Sequence, residues 1–164
     1  MNVGGKLILI HTCVWVDNYC ADHVAGVDAK QFLQMSFTQN AELLYAVHAA
    51  KDVLYVLENE FKRAARRELG TIDESVVLSA KKAALGCVRN MCDLATAVGA
   101  DTSDIWLANK YLRIHPDFED NLVLAACKRA KADYLVTNDR TLIAHADVTA
   151  KTPREMLELM SLDF

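Results

Sequence analysis

The sequence predicts a three-layer α/β/α fold around a central, mainly parallel sheet. Short runs rich in Leu, Ile, Val and Tyr alternate along the chain with longer segments whose apolar residues recur at helical spacing. A length of 164 residues, 52% of them hydrophobic and only two of them proline, suits one ordered domain, expected over residues 1–164. No low-complexity stretch, linker or internal repeat breaks this pattern.

Lys6 to Ile10 reads as the first strand, and its end delivers His11. Val14 to about Cys20 follows as a helix, for which Thr12 is the expected N-cap. Asp28 to Thr38 is a second helix, with Phe32, Leu33 and Met35 facing the core. Leu43 to Val47 is strand two. Lys51 and Asp52 then open a helix through Val53, Leu54, Val56, Leu57 and Phe61, whose spacings follow i, i+3, i+4. Asp52 falls in its first turn, where the helix dipole favours an acid. Gly70 and Thr71 end this helix. Asp73 to about Cys92 is another long helix, and Asp93 to Val98 reads either as a strand or as its extension. Ser103 or Asp104 caps a helix holding Ile105, Trp106, Leu107 and Tyr111.

Asp117 to Ile143 carries the most information. DFEDNLVLAACKRAKADYLVTNDRTLI is a carboxylate-led helix, a turn, a short β-rich strand (Tyr134 to Thr137) and a further carboxylate, Asp139. Near the C-terminus Val148 to Lys151 is a short strand. Thr152, Pro153 and Glu155 then supply an N-cap, a proline at N1 and a capping-box acid for a helix from Arg154 to Met160.

In a parallel sheet the crossover helices run antiparallel to the strands, so helix N-termini lie at the strands' carboxyl edge. That topology directs four distant residues to one edge: His11, Asp52, Asp120 and Asp139. Ligands of open α/β sheets bind at this edge. Three carboxylates brought together repel one another unless a cation lies among them. A hard divalent ion such as Mg²⁺ or Mn²⁺ suits their oxygens, and phosphodiester hydrolysis is the natural reaction class.

Other chemistries are less well supported. A net charge of −4 argues against coating nucleic acid by bulk charge. Lys62, Arg63, Arg66 and Arg67 share roughly one helix face, either a solvated surface or a phosphate contact. There is no Gly-rich phosphate loop, and none of the serines lies in a nucleophile-elbow motif. Five cysteines form no compact framework and read as reduced thiols. A reactive cysteine paired with His11 or His48 is conceivable, but the sequence singles none out. A zinc site from His11, Cys13, Cys20 and His23 lacks the tight paired spacing of structural zinc. The apolar run LILIHTCVWV is too short to span a bilayer and lacks a following cleavage site, so a cytoplasmic location without membrane contact is expected.

These residues resemble the PIN domain family, in its VapC-like toxin ribonuclease branch. The resemblance spans nearly the whole chain. Its most specific parts are DFEDNLVLAACKRAKADYLVTND and TPREMLEL, with LILIHTCVWVD matching the opening strand and AAKDVLYVL the helix of the second acid. It implies a Mg²⁺- or Mn²⁺-dependent endoribonuclease, the toxin of a toxin–antitoxin pair. RNA is the implied substrate, an antitoxin protein the implied partner and a homodimer the implied assembly. The second, third and fourth acids map onto Asp52, Asp120 and Asp139, which the resemblance makes catalytic and metal-holding. Asp117 and Glu119 lie close to Asp120, and Thr137 and Asn138 fall in the matching segment around Asp139. The chain departs at the first acid: the family's Asp-Thr-Asn reads His11, Thr12, Cys13 here. Asp17 lies farther along the next helix and is a poor direct replacement. With His11 as a substituted ligand, softer ions such as Mn²⁺ or Zn²⁺ are favoured over Mg²⁺. The implied activity is weakened or lost, and in the latter case the chain acts by binding RNA or protein. Lys51, Arg140 or the Lys62–Arg67 face would position RNA phosphates.

Overall fold

The computed structural model describes residues 5–20 and 22–161. The remaining positions of the expected 1–164 span lie outside the described residues. Five strands, β1 (Leu7–Ile10), β2 (Glu42–Ala46), β3 (Thr96–Val98), β4 (Tyr134–Val136) and β5 (Ala150–Lys151), form one sheet. Their order is β3-β2-β1-β4-β5, and every pairing is parallel. Eight helices connect and follow them: α1 (Thr12–Tyr19), α2 (Gly26–Thr38), α3 (Ala49–Leu69), α4 (Glu74–Leu94), α5 (Thr102–Tyr111), α6 (Phe118–Ala130), α7 (Arg140–His145) and α8 (Pro153–Ser161).

The layers follow from alternation along the strands. Ile8, Ile10, Leu43, Tyr45 and Val136 point to one face, where Trp15, Phe32, Val53, Leu57, Met91, Met156 and Met160 complete a core from α1 to α4 and α8. Leu9, Leu44, Ala46 and Leu135 point to the other, against Val123, Leu124 and Cys127 of α6 and Leu142 of α7. The sheet is covered on both sides, as an all-parallel sheet requires. The central strand β1 is therefore almost wholly apolar, and Ile8, Leu9 and Ile10 are fully buried.

Most sequence expectations differ from these elements by one or two residues. Strand two is Glu42–Ala46 rather than Leu43–Val47, because Glu42 enters the register opposite Leu7 and Val47 turns out to solvent. The undecided stretch before Val98 resolves into a helix ending at Leu94 and a strand, Thr96–Val98, paired with β2. Two caps need correction. Thr12 is the first residue of α1, and His11 holds the extended N-cap position with its side chain engaged elsewhere. The cap of α5 is Asp101, with Asp104 as the reciprocal acid of a capping box. The capping box at Thr152 and Glu155 forms as expected, with Thr152 N–H donating to Glu155 at 2.7 Å and Glu155 N–H to Thr152 Oγ1 at 3.2 Å. No described helix is long and apolar enough to cross a membrane.

Candidate functional site: an acid-lined cleft at the carboxyl edge

Strand order reverses its direction of growth at β1, whose two neighbours β2 and β4 lead to opposite halves of the sheet. The crevice at such a switch point is where open α/β sheets bind ligands. Here a cleft of about 360 Å³ is lined by His11, Thr12, Cys13 and Asp17 from the start of α1, with His23. His48 and Asp52 from the start of α3, and Asp117, Glu119 and Asp120 from the start of α6, complete its polar wall. The edge argument thus brings His11, Asp52 and Asp120 together, with Thr12, Asp17, Asp117 and Glu119 beside them.

Asp120 is the best-connected group. Asp117 caps α6, its Oδ1 accepting from the N–H groups of Glu119 (2.9 Å) and Asp120 (3.2 Å), and so fixes Asp120 in the first turn. The Asp120 carboxylate is buried between two imidazoles. His11 Nε2 lies 3.2 Å from Oδ1, and His115 Nε2 donates to Oδ2 at 3.0 Å. Burial opposes its charge, but these hydrogen bonds outweigh it and hold its pKa below the usual carboxylate value. Burial likewise opposes charge on His11. Its hydrogen bonds to Asp120 and Cys13 prevail and raise its pKa, favouring the protonated ring.

The far side of His11 is equally engaged. Its Nδ1 lies 2.8 Å from Thr137 Oγ1 and 3.5 Å from Cys13 Sγ. Thr137 is fully buried, and its hydroxyl also accepts the Asp139 N–H at 3.0 Å. Asn138 donates its backbone N–H to Cys13 Sγ (3.3 Å) and its amide to Asp17 (2.6 Å), whose other oxygen lies 2.7 Å from His23 Nδ1. His48 stands at the N-cap of α3. Its buried Nε2 lacks a hydrogen-bond partner among the described residues, and burial lowers its pKa.

Asp139 has a different occupation. It is the N-cap of α7, accepting from Thr141 N–H at 2.7 Å and Leu142 N–H at 3.0 Å, and is not among the cleft-lining residues. Lys51 Nζ lies 3.3 Å from Asp52 Oδ1, whereas the exposed Arg140 points to Glu155, 3.9 Å away. In the Lys62–Arg67 face, Lys62 pairs with Glu58, Arg63 with Glu60 and Arg67 with Asp22. The zinc alternative is not assembled, since Cys20 is buried in the core away from this cleft.

As these side chains stand, they do not fit a divalent ion. Both oxygens of Asp120 are taken, both ring nitrogens of His11 are engaged by Asp120 and Thr137, and Asp139 caps a helix. Among the described residues, no three His, Cys, Asp or Glu side chains are grouped to hold one. Two members of the site escape the sequence argument. His115 sits in the loop before α6, and no periodicity marks a loop residue. Cys13 enters the sequence reading as a zinc-site candidate and in the altered opening motif, and its contacts escape it because its partners Thr137 and Asn138 lie far along the chain, beyond β4.

Comparison with known proteins agrees with this architecture. A sequence model described as PIN domain matches residues 7–141. No curated protein sequence matches the chain. Among solved structures, VapC20 of Mycobacterium tuberculosis, described as a Sarcin-Ricin loop cleaving toxin, superposes with a TM-score of 0.60 at 14% identity. That match covers 84% of this chain and 93% of VapC20. VapBC2 of Rickettsia felis, bound to a DNA fragment from its promoter, gives 0.59 at 10% identity, over 90% of this chain and 98% of that one. At these identities the likeness is one of fold, whereas the sequence match extends from β1 through Arg140 to Thr141. The chain belongs to the PIN domain family.

Proposed function

We propose that this chain is a PIN-type endoribonuclease toxin, partnered by an antitoxin protein, whose hydrolytic site rests in a paired, low-activity arrangement set by His11. One observation carries the reading: the two oxygens of Asp120 are bound by His11 and His115. The hydrolytic set is Asp52, Asp120 and Asp139 with His11. The ion class is Mg²⁺ or Mn²⁺, with Mn²⁺ preferred where an imidazole replaces a carboxylate. Any such ion competes with two imidazoles for Asp120, which is why activity is low. Lys51 stands at the cleft's rim beside Asp52 and is the nearest candidate to meet an RNA phosphate. An antitoxin partner belongs to the same reading, which the likeness to the VapBC2 fold supports, and assembly as a homodimer is proposed with it.

A second reading, a PIN-fold protein that only binds RNA or protein, is favoured by the lack of a grouped ligand set among the described residues. Cleavage of single-stranded RNA with Mg²⁺, Mn²⁺ or EDTA separates the two, in the native protein beside His11→Asp and Asp120→Asn. The first reading expects slow, Mn²⁺-favoured cleavage that Asp120→Asn abolishes. It also expects His11→Asp to accelerate cleavage by about tenfold or more, by returning a carboxylate and freeing one Asp120 oxygen. Cleavage by His11→Asp alone establishes the binding reading, and native cleavage that survives Asp120→Asn overturns the assignment of the site.

A further inference from the structure

We infer that the outer face of α5 is a binding platform for single-stranded RNA, on which Trp106 stacks a base while Lys110 and Arg113 meet phosphates. Trp106, Asn109, Lys110 and Arg113 recur at i, i+3, i+4 and i+7, on the side of the helix away from the buried Asp104 and Ala108. Trp106 is 60% exposed. Lys110 Nζ lies 3.7 Å from the centre of its ring, a cation–π contact that pins the indole along the helix surface. The helix and the turn after it form a basic stretch in an acidic chain. The net charge is −4, yet Ile105 to Pro116 holds Lys110, Arg113 and His115 and no Asp or Glu. Neither Lys110 nor Arg113 has an acidic partner among the described residues, whereas Lys62, Arg63 and Arg67 on α3 are each paired.

This stretch leads into the cleft. The N–H groups of Ile114 and His115 both donate to the Tyr111 carbonyl at 2.8 Å, and the turn they close delivers His115 to Asp120, 3.0 Å away. A strand seated in the cleft thus meets Arg113 and then Trp106 along the same run of chain. The residue types match such a ligand. Every base offers a π-face to an exposed aromatic ring, and the backbone brings an anion with each nucleotide to unpaired cations. Exposed Ile105, Leu112 and Ile114 add apolar surface around the ring. A second copy of the chain suits this face poorly. A two-fold contact would set Lys110 and Arg113 against the same two cations of the other copy, with no acid in the stretch to offset them. The inference rests on RNA as the ligand of the cleft, whether the chain cleaves it or only binds it.

The test is binding of an oligoadenylate of about twelve nucleotides to the purified full chain, in EDTA so that metal-dependent cleavage is off. Trp15 is fully buried, so of the two tryptophans only Trp106 is placed to be quenched by a stacked base. The native protein should show saturable quenching. Trp106→Leu should abolish it and weaken binding about five- to one-hundredfold, read by anisotropy of a labelled oligomer, and Trp106→Tyr should recover most of the affinity. Lys110→Gln combined with Arg113→Gln should lower the slope of log affinity against log salt by about 1.4, roughly 0.7 for each phosphate contact. These are exposed positions, so the variants should fold as the native chain does. No binding by the native protein, or native affinity in Trp106→Leu, overturns the proposal. So does equal affinity for inorganic polyphosphate of the same charge, which marks a site for anions without bases. A native dimer that sediments as a monomer in Trp106→Leu overturns it in favour of a second copy. Cleavage is read separately. Binding through Trp106 without any cleavage removes the nuclease reading and keeps the platform, whereas cleavage lost in Asp120→Asn, with unchanged binding in Trp106→Leu, does the reverse.

Discussion

At the scale of single residues, Thr137 holds the site together. Its hydroxyl meets the His11 ring and the Asp139 N–H, and nothing of it reaches solvent. Thr137→Val keeps the shape but leaves the part-buried Asp139 N–H and the His11 ring without their hydroxyl partner, so a loss of about 1–3 kcal/mol is expected in urea denaturation. Faster amide exchange at Asp139 should accompany it, and unchanged exchange would separate Thr137 from the capping of α7. Asp52 and Asp120 were legible in the sequence because each opens a helix whose apolar stripe fixes its direction. Asp139 was legible as a position, but its capping of α7 was not. The same short side chain that can hold an ion also satisfies two helix N–H groups, and the six residues of α7 carry too little periodicity to announce a helix needing a cap. His115 had no signal at all, since its contact with Asp120 depends on a loop conformation that Asn121 secures by donating to the His115 carbonyl at 2.9 Å.

Among the elements, α5 and α6 are clamped by Arg129. Its guanidinium reaches Asp101 at 2.6 Å and Asp104 at 2.8 Å, and the Asp104 carboxylate is buried. Removing the cation strands that carboxylate, so Arg129→Ala should cost about 1–3 kcal/mol, seen as an earlier denaturant midpoint. The pH response has a definite sign. Hydrogen bonds from Ser103 and the Arg129 guanidinium hold Asp101 down at about 2. Asp104 is also depressed, with Arg129 its leading cause. A folded pKa below the unfolded value, about 3.9 for Asp, gives stability that is present above that value and lost as pH falls toward the folded one. Denaturation midpoints should therefore drop between pH about 4 and about 2, and drop less in Arg129→Ala. An equal drop in both proteins would exclude the clamp as the source. The sequence offered Ser103 or Asp104 as the cap of α5. It could not rank Asp101 above them, because the four consecutive residues Asp101, Thr102, Ser103 and Asp104 each satisfy the local rule.

For the whole molecule, the alternation of strands and helices was enough to foresee a parallel three-layer fold, but not the strand order. Parallel neighbours are distant in sequence, and nothing local states that Ile8 lies between Leu43 and Tyr134. The close approach of α1 and α2 was equally hidden. A Cβ at Gly26 would lie 2.8 Å from the Asp17 carbonyl and 3.2 Å from that of Cys20, both rigid backbone. Gly26→Ala should thus force the helices apart and cost about 1–3 kcal/mol, measured as a lower thermal midpoint. A neutral result would mean that the two helices slide without penalty.

The pairing of β1 with β4 has a consequence for how the chain is made. A ribosome delivers His11 well before the hydroxyl it meets, which arrives 126 residues later with Thr137. The half-sheet of β1, β2 and β3 can gather while synthesis continues, but β4 and the residues that follow it can join only once they too have been made. The cleft thus comes into being after that half-sheet, and a chain stalled before β4 carries His11 and Asp52 without the geometry that would make them a site.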